Sequence, residues 1–180
     1  MKICAIVGYA GSGKTTAIEA IRDLGLVVTM GDVVRNEAKK RNLEPSGKNI
    51  GRMAKELREK EGPGIIAEKC VDLIKNKDER VIIVDGVRSI SEVNVFRQFW
   101  KFPIIAIIVS EQERFNRLFE RGRSDDPKNL NDLKERDKRE IQFGLKEVIE
   151  NADYKIQNNS TIEDLKKKTR NLILKIIETY

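Results

Sequence analysis

The stretch Gly8-Tyr9-Ala10-Gly11-Ser12-Gly13-Lys14-Thr15 decides the fold. Its spacing, G-x-x-x-x-G-K-T, is that of the P-loop. It follows the apolar run Ile3–Val7 and opens an amphipathic stretch, Lys14–Leu24, with helical periodicity. A strand that enters a glycine turn and leaves as a helix makes an anion site. The glycines let backbone amides point inward where side chains would block them, and the helix N-terminus adds its dipole. Lys14, facing solvent at the loop mouth, supplies a cation to the β- and γ-phosphates, and Thr15 supplies a hydroxyl to Mg²⁺. Gly8, Gly11, Ser12, Gly13, Lys14, Thr15 and Thr16 are therefore the candidate nucleotide-binding residues, with ATP and Mg²⁺ as the expected cofactors.

Further short apolar runs follow at Leu26–Met30, Arg80–Asp85, Pro103–Val109 and Tyr154–Gln157. They are β-branched and do not alternate with polar residues, as in strands buried on both faces. Between them the periodicity predicts helices over Val33–Asn42, Ile50–Lys60, Ile65–Lys75, Glu92–Trp100, Glu111–Arg121, Leu130–Glu150 and Ile162–Glu178. Ser89…Glu92, Ser110…Glu113 and Ser160…Glu163 have capping-box spacing at helix starts. The last helix carries Leu165, Leu172, Ile173, Ile176, Ile177 and Tyr180 on one stripe, with Lys166–Lys168 outward, and is expected to close the fold against the sheet. The expectation is an α/β protein of the three-layer P-loop NTPase type. Its five parallel strands should have helices on both faces, and the order 2-3-1-4-5 is what the P-loop type implies for them.

The 180 residues suit one domain. Thirty-five Lys and Arg against 29 Asp and Glu leave a net charge of +6, which favours anionic partners. Histidine is absent, which excludes Ser-His-Asp and Cys-His catalysis and His-ligated zinc. Acid–base work would fall to carboxylates, Lys or Tyr. Two cysteines, Cys4 and Cys70, make no disulfide scaffold and suit a reducing compartment. No apolar run reaches the ~20 residues of a membrane span, so a cytoplasmic protein is expected.

A P-loop alone serves many activities. The base-reading string of a GTPase is missing, since Asn76-Lys77-Asp78 has the wrong spacing and precedes a strand. Asp85, ending the third strand, is the expected second partner of Mg²⁺ beside Thr15. Thr29-Met30-Gly31-Asp32-Val33-Val34-Arg35 follows the second strand, and Asp85-Gly86-Val87-Arg88-Ser89 ends and follows the third. Both lie at carboxyl ends of parallel strands, where ligands bind in such sheets. Each presents an arginine, and two guanidinium forks suit a second phosphate.

These strings resemble a family. The first is similar to the Thr-Gly-Asp-x-(Leu/Val)-Arg string of adenylate kinase and other nucleoside-monophosphate kinases, and the second to their Asp-Gly-Phe-Pro-Arg. Arg117, Arg121, Arg123, Ser124, Asp125 and Asp126 resemble their lid arginines and Arg-x-Asp-Asp. The tail Ala152-Asp153-Tyr154-Lys155-Ile156-Gln157-Asn158-Asn159-Ser160 is more similar to the end of dephospho-CoA kinase. The whole pattern most resembles the adenylate-kinase-related proteins of archaea. The resemblance implies that Gly31, Arg35 and Arg88 hold the acceptor, that Lys14, Arg88, Arg117, Arg121 and Arg123 stabilise the transferring phosphoryl group, and that Asp85 holds the metal's waters. It implies a single domain over residues 1–180, with a helical acceptor-binding insert at about 32–62 and a short lid at about 121–130.

The chain also departs from that pattern. Ala10 stands in place of a proline, Arg88 comes one residue early, and Glu92 stands where a glutamine reads adenine. Glu92 is also the far end of a capping box. Arg136 and Arg139 are both candidates for the later lid arginine. In the insert, Lys48, Arg52, Lys55 and Arg58 read as a solvated helix face, with Arg52 alone kept as a candidate. Arg114, Glu120 and Lys39-Lys40-Arg41 read as surface.

The expected activity is transfer of the ATP γ-phosphoryl group to a phosphate-bearing small acceptor, a nucleoside monophosphate such as AMP. A hydroxyl acceptor would need a base, and Asp32 is the residue placed for it. A slow ATPase that reports its state to RNA or protein is the alternative of another class. The lack of aromatic residues interleaved with basic ones argues against a nucleic-acid partner.

Overall fold

The computed structural model describes residues 1–44, 46–123 and 126–179. Pro45, Ser124, Asp125 and Tyr180, and the side chain of Lys48, lie outside the described residues.

Strand β1 (Lys2–Val7) is the centre of a parallel five-stranded sheet. Strands β3 (Val81–Asp85) and β4 (Ile104–Ile108) pair on either side of it, and β2 (Leu26–Thr29) and β5 (Tyr154–Gln157) lie outermost. The order is β2-β3-β1-β4-β5, as expected for the P-loop type, and the alternation of apolar runs and helices accounts for the parallel sheet covered on both faces. In register, Asp85 lies opposite Ile6 on one side and Thr29 on the other. That register sets the Asp85 carboxylate between the start of the glycine loop and the turn after β2.

The two-residue period of each strand divides the core into two layers. Ile3, Ala5, Val7, Ile82, Val84, Ile104 and Ala106 face one layer. It is covered by helices α2 (Met30–Lys40), α3 (Gly47–Glu61), α4 (Ile65–Lys75), α5 (Ile90–Arg97) and α8 (Leu145–Glu150). Cys4, Ile6, Val81, Ile83, Ile105 and Ile107 face the other, covered by α1 (Lys14–Glu19) and α9 (Ile162–Thr179) through Ala17, Ile18, Leu165, Ile173 and Ile176. Burial on both faces is why these strands read as unbroken apolar runs. Helices α6 (Glu111–Arg121) and α7 (Leu130–Phe143) pack on one another beside the loop. Both cysteines are buried in this core, and burial is the main cause that pushes each thiol up to about 12.

Several boundaries differ from expectation. Helix α1 stops at Glu19, and turns carry the chain on towards β2. Helix α2 begins at Met30, three residues before Val33, because Thr29 ends the strand in extended geometry and the helix follows at once. Gly31 and Asp32 therefore sit in its first turn. The span Leu130–Glu150 is two helices, since Gly144 at φ 105° closes α7 and opens α8. The break turns Leu145 and Val148 into the first core layer.

Ser89 and Ser110 each accept the backbone N–H three residues on, at 3.2 Å, as their spacing predicts. At the last helix Thr161, not Ser160, accepts such a bond, from Asp164 at 3.2 Å, while the Ser160 hydroxyl bonds the Asp164 carboxylate.

Candidate nucleotide and acceptor site

The glycine loop is built too tightly for side chains at its turns. A Cβ on Gly8 would lie 2.6 Å from Ser12 Oγ and 2.7 Å from the Ile107 carbonyl oxygen. Gly13 has φ 103°, and a Cβ there would fall on the Asn158 side-chain amide. Ser12 is buried, and its hydroxyl is the one buried side-chain polar atom among the described residues without a hydrogen-bond partner. A loop that buries a polar group and leaves it unmatched is a cradle that an anionic oxygen would complete.

Lys14 opens α1 but does not face solvent. It is half-buried, and its Nζ donates to the carbonyls of Gly8 at 2.6 Å and Tyr9 at 3.1 Å. Burial pushes the Lys14 amine down to about 8, against the opposing pull of Asp85 and Glu140. Thr15 is exposed at the helix start and Thr16 is half-buried, and both line the cavity beside the loop.

That cavity, about 780 Å³, runs from the loop across Asp85 to helix α3. Gly31, Arg35, Asp85 and Arg88 all line it, as the two strings after β2 and β3 predict. Asp85 is half-buried, and burial pushes its carboxyl up, with Lys14 and Arg88 acting the other way. Arg35 Nε donates to Asp32 Oδ1 at 2.9 Å, an exposed pair within one turn of α2. Asp32 itself is not among the lining residues. Arg88 Nε lies 3.5 Å from Glu140 of α7.

The candidate lid arginines converge on the same space. Arg117, Arg121, Arg123 and Arg136 line the cavity, whereas Arg139 is exposed and does not. Arg117 donates to Glu113 and to the Asn158 carbonyl at 2.9 Å. Asp126 gathers the rest. It accepts from Arg121 Nε at 2.9 Å and from the Arg123 N–H at 3.0 Å, with Arg136 3.8 Å away. The Arg121 hydrogen bond holds the Asp126 carboxyl below the usual carboxylate range.

Eight cationic side chains and three carboxylates line this cavity. A surplus of guanidinium forks over one loop suits a ligand with several phosphates. Among the described residues no group of three or more His, Cys, Asp or Glu is placed to hold a metal. A Mg²⁺ here would be of the kind that takes one or two protein groups, such as Thr15 and Asp85, and the phosphates for the remainder. No described helix is long and apolar enough to cross a membrane.

Sequence reasoning misses three features of the site. Arg58 of α3, read above as a solvated cation, lines the cavity and pairs with Glu92 at 2.7 Å. Glu92 is buried, and its second oxygen accepts the Arg88 backbone N–H at 2.8 Å, so it is more than the end of a capping box. Arg52, kept as the candidate, is exposed and 3.7 Å from Glu56.

Arg114, read as surface, is buried. It grips Asp137 of α7 with both nitrogens of its fork, donates to the Ala10 carbonyl at 3.1 Å, and stands over the Tyr9 ring. Asn158, the third feature, donates from its side chain to the Ser12 carbonyl at 2.7 Å. The resemblance of Ala152–Ser160 to the end of dephospho-CoA kinase is the signal that could have found Asn158. Nothing local marks Arg58 or Arg114, because both sit in ordinary amphipathic helices.

Residues 7–134 match the family model described as an AAA domain. A UPF0200/UPF0201 protein of Archaeoglobus fulgidus is 47% identical over 98% of this chain and 56% of its own length, so the chain spans just over half of that relative. A UPF0200 protein of Methanosarcina mazei is 41% identical over 99% of this chain and 97% of its own length. Among solved structures, TT1252 from Thermus thermophilus superposes with a TM-score of 0.64 at 16% identity over 97% of both chains. Shikimate kinase from Acinetobacter baumannii, in complex with shikimate, does so with a TM-score of 0.55 at 19% identity over 97% of this chain and 94% of its own. At such identities the likeness is one of fold, the kinase-like P-loop fold. With an AAA domain over residues 7–134 and full-length relatives at about 40% identity, this chain belongs to the UPF0200 family.

Proposed function

We propose that this protein is a P-loop kinase that transfers the γ-phosphoryl group of ATP to a small phosphorylated acceptor, a nucleoside monophosphate. The supporting observation is that one cavity holds the glycine cradle with Lys14 at one part and the Arg35–Arg88 pair at another, with Asp85 lining it between them.

The loop amides and Lys14 hold the donor's phosphates, and Gly8, Gly11, Gly13, Ser12, Thr15 and Thr16 shape the cradle. When bound, Mg²⁺ neutralises charge on the β- and γ-phosphates, with Thr15 and Asp85 as its protein partners. Arg35 and Arg88, backed by Gly31, grip the acceptor phosphate. One of its oxygens attacks the γ-phosphorus, the bond to the β–γ bridging oxygen breaks, and ADP leaves. Lys14, Arg117, Arg121, Arg123 and Arg136 spread the charge of the moving phosphoryl group. A phosphate nucleophile is already deprotonated near neutral pH, so positioning and charge carry the rate and no base is required. Residues 32–62 act as the acceptor-binding insert and 121–130 as a short lid within one domain.

A hydroxyl acceptor, as in dephospho-CoA, is less well supported, because Asp32 is paired with Arg35 and does not line the cavity. The test is an acceptor screen with Mg·ATP over all nucleoside monophosphates, their deoxy forms and dephospho-CoA, reading ADP formation. Stimulation by monophosphates is expected. Stimulation by dephospho-CoA alone would move the assignment to the hydroxyl class. Turnover indifferent to every acceptor but altered by short RNA would favour the slow ATPase.

A further inference from the structure

Helix α3 turns Ile50, Ala54 and Arg58 towards the cavity on successive turns. Val34, Ile66 and Leu145 line it from neighbouring helices. Among the described residues of this apolar wall, Arg58 is the one polar side chain. Its guanidinium is held in place. Nη2 donates to Glu92 Oε1 at 2.7 Å, Nη1 to the Ala54 carbonyl at 3.3 Å, and the Phe143 ring centre lies 5.2 Å from Cζ. An arginine has five N–H donors, so three remain for a ligand.

The partner of Arg58 is out of a ligand's reach. Glu92 is 0% exposed, and its other oxygen is taken by the Arg88 N–H. Opening the pair would leave a buried carboxylate unmatched, which is strongly unfavourable. The pairs of Arg35 and Arg88, with Asp32 and Glu140, have exposed arginines and can be exchanged for a phosphate. Arg58 therefore keeps its carboxylate and presents donors whose charge is already matched. Such a group suits an uncharged acceptor atom set in apolar surroundings.

We propose that Arg58 reads the base of the acceptor, and that this base is a 6-oxopurine such as guanine in place of adenine. A guanidinium pairs with guanine through O6 and N7 by two bonds. Adenine carries an amino group at position 6 of that edge, where donor would face donor. The proposal rests on the kinase reading above and names the acceptor of that same site.

The experiment measures binding apart from chemistry. The wild-type protein is titrated calorimetrically with GMP and with AMP, and ADP formation is followed with each in the presence of Mg·ATP. GMP is expected to bind at least about tenfold more tightly than AMP. Arg58→Met should abolish that preference. Because this change strands Glu92, the double variant Arg58→Met/Glu92→Gln is measured beside it, with circular dichroism to check the fold, and should treat GMP and AMP alike. AMP bound and used as well as GMP overturns the role of Arg58 and leaves the kinase reading standing. A GMP preference that survives in the folded double variant also overturns it. If neither nucleotide raises ADP formation, the kinase reading fails for both, and the titration still decides Arg58: equal or absent binding sinks it.

Discussion

The Asn158 side chain donates to the Ser12 carbonyl at 2.7 Å, across 146 residues of sequence, and so ties the turn after β5 to the glycine loop. Both residues are buried, and the Asn158 carbonyl in turn accepts from Arg117. Truncation to Asn158→Ala leaves a buried carbonyl unmatched, a cost of about 1–3 kcal/mol. The loop should then hold ATP roughly tenfold more weakly, while the acceptor constant hardly moves. Steady-state kinetics with each substrate varied in turn would show it. An effect of equal size on both constants would mean that the bond supports the whole fold and not the loop.

Lys14 gives a pH signature. Its amine is held down to about 8 in the free protein by burial, and a phosphate beside it would restore the charged form. At pH 8 ATP binding should therefore take up about half a proton, and at pH 6.5, where the amine is already charged, close to none. Calorimetry in buffers of different ionisation enthalpy measures this directly. The sign for stability follows from the same displacement. Since the folded-state value lies below the unfolded one, stability held back by Lys14 below pH 8 is regained as pH rises from about 8 towards 10.5. Lys14→Ala should abolish phosphoryl transfer without unfolding the protein and should abolish the proton uptake. Full activity of that variant would remove the loop from the mechanism.

Arg35, in the second turn of α2, and Arg88, just ahead of α5, line one cavity. If both grip the acceptor phosphate, each contributes ~1.5–3 kcal/mol, so Arg35→Lys or Arg88→Lys should weaken acceptor use about 10- to 150-fold with ATP saturating. Lysine cannot reproduce a two-pronged grip. The double change should cost less than the two losses added, because both serve one phosphate. Asp32→Asn should lower turnover only slightly in the same assay, through loss of its bond to Arg35. A loss of ~10²–10⁴ would instead make Asp32 a general base and the acceptor group a hydroxyl. Wild-type acceptor constants in both single lysine variants would leave no clamp at these positions.

The Arg114–Asp137 pair is buried and reaches the loop through the Ala10 carbonyl. Removing one partner strands the other, at a cost of about 3–5 kcal/mol. Asp137→Ala should therefore lower Tm by about 10 °C in a protein of this size. The apolar double replacement Arg114→Met/Asp137→Leu should lose less than the sum of the single changes. Thermal unfolding of the wild type, Arg114→Met, Asp137→Leu and the double variant decides it, and additive losses would show that the pair is not a unit.

What the sequence determined by itself is what spacing can carry. The P-loop string is legible because glycine, lysine and threonine must stand at set distances to wrap a phosphate. The five strands and their burial on both faces follow from unbroken β-branched runs, since two-sided burial leaves no polar face, and their order follows from the P-loop type. Asp85, Gly31, Arg35 and Arg88 are legible because each lies within a few residues of a strand's carboxyl end, and parallel strands bring those ends to one edge of the sheet. Tertiary structure alone decided which charged helix residues leave solvent. Arg58 meets Glu92 across 34 residues, and Arg114 meets Asp137 across 23. A cation on an amphipathic helix has the same local pattern whether its turn faces water or a buried carboxylate. The facing is set by how α3 packs on its neighbours and by the break at Gly144, which ends α7 and turns Leu145 inward. The charge itself is written in the chain, but its partner depends on contacts between helices that no local spacing encodes.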